Sequence, residues 1–135
     1  MLGGHVVRKK DLLYPELSYS INGVLFEVFK QVGAGLLEKH YQTAVVCGLK
    51  EKGINFVEQM YIPITYHNNF IGKRYVDFLI EKRIVLELKR GQFVPAQTIQ
   101  QANDYLKLLN LQLAIIACFT AQGVHTRRIV NLIRE

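Results

Sequence analysis

Asp77, Glu87 and Lys89 are charged residues in two neighbouring segments that are otherwise rich in apolar β-formers. Because side chains alternate along a strand, Glu87 and Lys89 point to the same face. A three-residue bend over 81–83 pairs the segments so that Asp77 lies opposite Glu87, with about 5 Å between their Cβ atoms. Two facing carboxylates repel each other unless a cation lies between them, and Mg²⁺ binds carboxylate and water oxygens. The spacing therefore predicts a divalent-metal site with a lysine beside it.

An exposed salt bridge is the other interpretation of this Glu-x-Lys step, and such a pair stabilises a fold by under about 1 kcal/mol. Leu86 and Leu88, on the opposite face of the strand, and Val85 are typical of a central strand. Charged groups on a buried strand are costly unless they are paired or bind a metal. This apolar context favours the metal site over the salt bridge.

Two further pairs of polar residues lie at helical spacing. Glu38 and Tyr41 are three residues apart near the start of a predicted helix, so they occupy neighbouring positions on one face. Gln101 and Tyr105 are four residues apart on a later helix and reach the same region beside it. Each pair also has a structural interpretation. Glu38 can be a first-turn acid that interacts with the helix dipole, and Gln101 and Tyr105 can belong to an ordinary polar face.

The elements that must position these residues follow the order α-α-β-β-β-α-β-β. Apolar residues recurring every three or four positions predict helices over 18–32, 36–52 and 95–109. Short runs of β-formers predict strands over 56–66, 70–80, 84–89, 111–119 and 124–133, where alternation in the last favours a strand over a short helix. The first three strands form an antiparallel meander with a turn at Asn68-Asn69, and Pro63 predicts an edge or a bulge. We therefore expect an α/β fold with helices around one mixed sheet.

The composition describes one globular domain. The chain has 135 residues, half of them apolar, and a net charge of +6. A chain of this size buries roughly two thirds of its unfolded surface, which argues against a disordered or disulfide-stapled protein. Residues 1–17 are interpreted as a basic lead-in and 18–135 as the domain. The positive charge predicts an anionic partner such as nucleic acid, although Arg8, Lys9 and Lys10 in the lead-in carry part of it.

Targeting and redox features predict a cytoplasmic protein. The first residues lack the apolar core of a secretory signal, and the longest apolar run, 114–119, is far shorter than the roughly 20 residues of a membrane span. Cys47 and Cys118 lie in apolar surroundings without metal-site spacing, so both are predicted to be buried thiols. The sequence therefore predicts a reducing compartment and no membrane partner.

Taken together, these residues resemble a known family. A Glu, then an Asp, then Glu-x-Lys, then Gln-x-x-x-Tyr, on helix, strand, strand and helix, is similar to the GxxExxY family of the PD-(D/E)XK nuclease-like superfamily. The resemblance covers about residues 18–133. The matching residues are Gly35, Glu38, Tyr41, Asp77, Glu87, Lys89, Gln101 and Tyr105. Ala34 and Tyr75 stand where relatives often have Pro and Gly, but neither departure removes a proposed ligand.

The resemblance implies a restriction-endonuclease-like core and a metal-dependent nuclease that hydrolyses phosphodiester bonds of DNA, with RNA as the alternative substrate. It implies that Asp77, Glu87 and Glu38 hold Mg²⁺ or Mn²⁺, with Glu38 a third ligand or the residue that orients a bound water. Lys89 then positions the attacking water or stabilises the phosphate as a point charge.

The resemblance also implies supporting residues around the metal. Gln101 would orient Lys89 or the strand backbone, and Tyr105 would donate to a phosphate. Tyr41 would do likewise, with core packing of its ring as the alternative. Contacts to backbone phosphates, which position the substrate without reading its sequence, would come from Lys73, Arg74, Lys82, Arg83 and Arg90.

A non-catalytic nucleic-acid-binding or protein-interaction module on the same fold is the alternative function. The intact acids and lysine favour the enzyme, because a module without catalysis has no physical need for this charge cluster. An enzyme acting on another phosphate-containing ligand is a third option, and the lack of a GxxxxGK[ST] loop argues against nucleoside triphosphates. Cleavage of both strands of a duplex needs two sites, so a homodimer is a candidate assembly.

Overall fold

The eight elements follow one another in the predicted order. The computed structural model describes residues 13–131. Its helices are α1 (Pro15–Val32), α2 (Glu38–Glu51) and α3 (Ala96–Leu109). Its strands are β1 (Phe56–Tyr66), β2 (Asn69–Ile80), β3 (Ile84–Arg90), β4 (Leu113–Phe119) and β5 (Val124–Val130). The predicted mixed α/β architecture, with an antiparallel three-strand meander flanked by helices, is confirmed.

The five strands form one sheet in the order β1-β2-β3-β4-β5. All neighbours are antiparallel except β3 and β4, which are parallel and joined through α3. Every residue of β4 is buried, as expected for a parallel strand whose two faces are both covered. β1 is an edge strand, and its register shifts between Ile64 and Thr65. Both features that Pro63 predicted, an edge and a bulge, are therefore present.

Two apolar cores cover the two faces of the sheet. The α1/α2 core contains Ile21, Leu25, Tyr41, Leu49, Phe78, Leu86, Leu88, Ile115 and Phe119, among others. The α3 core contains Ile62, Val76, Val85, Ala102, Tyr105, Leu106 and Ile116, among others. Leu86 and Leu88 thus lie on one face of β3 and Val85 on the other, which confirms the predicted alternation around Glu87.

Several element boundaries differ from the prediction for local reasons. α1 begins at Pro15 rather than near residue 18, because proline is well suited to the first turn of a helix. The β1–β2 turn uses His67 and Asn68, at φ 49° and 66°, rather than Asn68-Asn69. Positive φ at both central residues is the geometry of a type I′ hairpin turn.

The two thiols do not share one environment. Cys118 is buried as predicted, but Cys47 is exposed on α2, so the prediction of two buried thiols is wrong for Cys47. No helix within residues 13–131 is long and apolar enough to cross a membrane. Most of the basic lead-in, including Arg8, Lys9 and Lys10, lies outside the described residues, as does the end of the predicted last strand.

Candidate functional site

The hydrogen-bonded ladder between β2 and β3 is regular at one end and interrupted at the other. The regular pairs are Phe78–Leu86, Leu79–Val85 and Ile80–Ile84, which is the predicted register. At the next position the amide of Asp77 donates to Glu87 Oε2 at 2.9 Å. The amide of Leu88 donates to Asp77 Oδ2 at 2.8 Å. Asp77 and Glu87 therefore face each other as predicted, but their carboxylates take the place of backbone acceptors between the strands.

Burial sets the electrostatics of this acidic pair. It raises the pKa of Glu87 from an ordinary 4.5 to about 8, and the charge of Asp77 adds to the effect. The pKa of Asp77 is also raised by burial, while the bonds from Leu88 and Gln59 oppose the rise. The charge of Lys89 lowers the pKa of both acids. Without a cation, the pair therefore holds its negative charge at a cost in free energy.

The donor set fits a hard divalent cation. Mg²⁺ is ordinarily bound by one or two protein carboxylates and keeps several waters. Asp77 and Glu87 supply two such carboxylates, each fixed in orientation by an amide of the opposite strand. Within residues 13–131, however, no set of three or more Asp, Glu, His or Cys side chains is assembled into a ready-made metal site. The predicted third ligand, Glu38, is therefore not drawn into the acidic pair.

Glu38 lies at the mouth of the cleft beside Asp77. It is the first residue of α2 and is exposed. Its negative charge raises the pKa of both Asp77 and Glu87, which shows that it lies near them. The cleft has a volume of about 210 Å³, and its lining residues are Glu38, Lys39, Gln42, Gln59, Asp77 and Leu88. This position suits the orientation of a water better than direct ligation.

Tyr41 is buried, so its predicted contact with a phosphate is wrong and the alternative of core packing is correct. It is 1% exposed, and its ring stacks on Phe119 at 4.0 Å between centroids. Its hydroxyl donates to the Gly33 carbonyl at 2.7 Å and accepts from the Leu36 amide at 3.4 Å. Tyr41 thus fixes the loop that leads into α2.

The same loop explains the glycine of the motif. Gly35 has φ 86°, a left-handed conformation that favours glycine. The chain then turns into extended Leu37, and α2 begins at Glu38 instead of the predicted Leu36. Gly35 allows the turn, Tyr41 anchors it, and Glu38 is placed at the cleft as a result.

Tyr105 is also directed toward the protein rather than toward a substrate. It is 2% exposed, and its hydroxyl donates to the Tyr75 carbonyl at 3.4 Å, so a free hydroxyl for a phosphate is not available. Burial, with the charge of Glu87 next in importance, raises the pKa of Tyr105 to about 12. Tyr105 therefore supports β2 beside the acids. Gln101 lies one turn earlier on α3 and is half-buried, and its orienting role remains a prediction.

Lys82 and Arg83 lie far from the acidic pair. They occupy the β2–β3 turn, at the regular end of the ladder. Three residues of strand, from Asp77 to the end of β2 at Ile80, separate the acidic pair from this turn, which is about 10 Å. Arg83 also lies over the Tyr14 ring, at 5.9 Å from its centroid. The expectation that these two side chains surround the site is therefore wrong.

The other basic candidates lie on the open side of the acidic pair, before Asp77 on β2 or after Glu87 on β3. Arg90 is exposed and follows Glu87 by three residues at the open end of β3. Lys73 lies over the ring of Tyr75, with Nζ 5.9 Å from its centroid. Arg74 forms an ion pair with Asp104 of α3 at 3.8 Å. Lys73 and Arg90 are therefore the better placed of the predicted phosphate contacts.

Gln59 is a site residue that the sequence did not indicate. It has φ 51° in the middle of β1, and its side-chain amide donates to Asp77 Oδ1 at 3.3 Å. A left-handed conformation is uncommon in residues other than glycine, and backbone strain of this kind is concentrated at functional sites. Gln42 of α2 supports the same region, since its amide donates to the Asp77 carbonyl at 3.4 Å. A glutamine in a predicted strand gives no sequence signal for a positive φ or for a hydrogen bond to a distant carboxylate.

On both β1 and β2, the alternation of side chains between the two faces of the sheet shifts at Gln59 and Asp77. Phe78 lies in the α1/α2 core, whereas Val76 lies in the α3 core. Phe56 and Ile62 on β1 differ in the same way. Residues an even number apart on a regular strand share a face, so each strand accommodates an extra residue at this level. This local irregularity is what turns Asp77 toward β3 and the cleft.

Comparisons with known proteins agree with this geometry. A family model described as the PD-(D/E)XK nuclease superfamily matches residues 15–129. Among solved structures, the crystal structure of SSO0001 is similar, with a TM-score of 0.58 and 17% sequence identity, over 72% of this chain and 52% of that one. At this identity the likeness concerns the fold alone, and the chain spans about half the length of SSO0001. No curated protein matches the sequence.

Proposed function

Because this chain belongs to the PD-(D/E)XK nuclease superfamily, we propose that it hydrolyses phosphodiester bonds of DNA with a divalent metal ion held by Asp77 and Glu87. One observation carries the proposal. Each of the two acids accepts an amide of the opposite strand, so both carboxylates are fixed between β2 and β3 where the ladder opens. A purely structural strand pair has no need of two buried carboxylates at this point.

The residues of the chain divide the chemical work. Bound Mg²⁺ or Mn²⁺ supplies a water of lowered pKa and neutralises charge that develops on the phosphate. Lys89, whose charge acts on both acids, holds the attacking water or the phosphate as a compact point charge. Gln59 keeps Asp77 Oδ1 in place, and Glu38 orients a water at the mouth of the cleft.

We further propose that the chain belongs to the GxxExxY branch of the superfamily. The support is the loop before α2, where a left-handed Gly35 and a buried Tyr41 hydroxyl together place Glu38. We also propose one nuclease domain over 18–135, extended by the first turn of α1, since this helix and the family match both begin at residue 15. The basic lead-in then precedes it.

Cleavage assays with matched variants test the nuclease. Labelled single-stranded, duplex and branched DNA, and an RNA of the same sequence, are incubated with Mg²⁺, Mn²⁺ or EDTA. We expect DNA cleavage that needs the metal and that falls at least about 100-fold in Glu87→Gln, because one of two ligands is lost. Lys82→Ala, in the β2–β3 turn, serves as the matched control. Cleavage that survives in Glu87→Gln and in Lys89→Ala contradicts the proposal.

Calorimetry separates the enzyme from a binding module. If no divalent ion binds at millimolar concentration while DNA still binds, the domain is a non-catalytic nucleic-acid-binding module on the same fold. Analytical ultracentrifugation with duplex DNA tests whether the chain acts as a homodimer. Cleavage of both strands by a species that sediments as a dimer supports two cooperating sites, whereas a monomer that nicks one strand argues against them.

A further inference from the structure

The outer half of the β1–β2 hairpin has one covered face and one open face. Ile62 and Val76 lie in the α3 core. The opposite face carries Tyr61 and Tyr75, which are directly paired across the two strands. These tyrosines remain 51% and 43% exposed. Two aromatic rings are therefore presented to solvent on the side of the sheet that faces away from α3.

The two rings form a unit rather than scattered surface residues. They meet edge to face with 5.9 Å between their centroids. Lys73, two residues before Tyr75 and so on the same face, places its Nζ 5.9 Å from that ring's centroid. Exposed aromatic rings beside a cation are the combination on which unpaired bases stack while the backbone phosphate meets the positive charge.

This aromatic pair is continuous with the cleft. Tyr61 follows Gln59 by two residues on β1, and Tyr75 precedes Asp77 by two on β2, which is about 7 Å along each strand. Gln59 and Asp77 both line the cleft, together with Glu38 of α2. Since α2 packs on the face opposite α3, the cleft and the tyrosines lie on the same side of the sheet.

We propose that Tyr61 and Tyr75 form a stacking platform for unpaired bases, so that the chain binds single-stranded nucleic acid and leads it across the hairpin toward Asp77. In a duplex the faces of the bases are already stacked on each other. The tyrosine rings would therefore find no free base to stack on. A second copy of the chain is a poorer occupant, because both copies carry a net charge of +6. The cleavage of this strand rests on the proposed function, whereas its binding does not.

Equilibrium binding by a non-cleaving variant tests the platform. Fluorescence anisotropy is measured with Asp77→Asn protein in EDTA, using a labelled thymidine oligonucleotide and a duplex of equal length. We expect tighter binding of the single strand and about a tenfold or greater loss of that affinity in Tyr61→Ala/Tyr75→Ala, since aromatic stacking dominates such binding. Tyr61→Phe/Tyr75→Phe keeps the rings and should keep the affinity.

Two controls separate stacking from folding. Tyr61→Leu/Tyr75→Leu keeps apolar bulk on the strands but removes the rings, so it should bind as weakly as the alanine variant while it melts cooperatively. Tyr19→Ala removes a tyrosine that is 81% exposed on α1 and should bind like the parent protein. Equal affinity in the leucine and phenylalanine variants overturns the platform.

The outcomes also distinguish this proposal from the nuclease. Ring-dependent binding of the single strand without metal-dependent cleavage keeps the platform and removes the nuclease. Metal-dependent cleavage with ring-independent binding does the reverse. A concentration-dependent dimer that the tyrosine-to-alanine variant dissociates assigns this face to self-association and overturns the platform.

Discussion

The two halves of the β2–β3 ladder differ in what holds them together. At one end, Phe78, Leu86 and Ile84 belong to backbone pairs between buried apolar side chains. At the other end, Asp77 and Glu87 insert carboxylates in place of backbone acceptors. The first arrangement removes apolar surface from water and stabilises the fold. The second desolvates two charges and destabilises it unless a cation binds.

The contrast shows how one pair of strands serves two purposes. The regular half fixes the register of the irregular half, since it lies only one residue away. Because each inserted carboxylate is bonded to an amide of the opposite strand, its orientation is set before any ligand arrives. Preorganised donors of this kind need no rearrangement during a reaction.

Damage to the regular half should give the largest loss of stability. Leu86→Ala leaves a cavity in the α1/α2 core, and we expect a loss of about 2–5 kcal/mol in the free energy of unfolding. Chemical denaturation measures it. Leu108→Ala is the matched control, because Leu108 is 63% exposed on α3 and should change stability by under about 0.5 kcal/mol. A neutral Leu86→Ala would mean that the regular half is not what supports the ladder.

The irregular half should make stability depend on pH. The pKa of Glu87 is about 8 in the folded chain, against an ordinary 4.5 that applies in an unfolded one. Between these values the folded state holds a proton that the unfolded state has released, so stability falls as pH rises from about 5 to 8.

Thermal melts in EDTA test this dependence. We expect the Tm of the wild type to fall by several degrees over that range, since about 1 kcal/mol moves the Tm of such a domain by roughly 3–5 °C. Glu87→Gln should show a flatter profile, and Mg²⁺ should raise the Tm of the wild type alone at pH 8. Parallel profiles for the two proteins would exclude Glu87 as the cause.

A change at Gln59 should separate activity from stability. Gln59→Gly removes the bond to Asp77 and relieves a positive φ, so we expect an unchanged or slightly raised Tm and about a tenfold loss of kcat. His67→Gly is the control, because His67 has φ 49° in the hairpin turn. It should give a similar Tm with full activity. Equal activity in both variants would remove Gln59 from the site.

The smallest effect is expected in the β2–β3 turn. Lys82→Ala/Arg83→Ala removes two charges that lie beyond about 10 Å of strand from the acidic pair. This exceeds the screening length of about 8 Å at physiological ionic strength. We expect less than about a twofold change in cleavage at physiological ionic strength. The matched double variant, Lys73→Ala/Arg90→Ala, should weaken DNA binding and lower its salt dependence. Equal losses in the two variants would place the substrate over the whole sheet.

Local patterns were sufficient to predict the elements and the facing acids. Alternation and a short turn depend on neighbouring residues, so the register that brings Asp77 to Glu87 could be derived from the sequence. The position of Lys82 was not predicted correctly, because an extended strand separates residues that are close in sequence. The direction of the Tyr41 hydroxyl and the left-handed Gln59 depend on tertiary contacts, and no residue type encodes them.

The irregularities of β1 also bear on self-assembly. An edge strand with a continuous row of free backbone groups is a template on which another chain can add, and growth of this kind leads to aggregates. β1 carries a left-handed residue at Gln59, a proline without an amide at Pro63 and a register shift after Ile64. A second strand therefore cannot pair along its whole length. The backbone kink that turns a carboxylate into position therefore also hinders the addition of another strand at the β1 edge of the sheet.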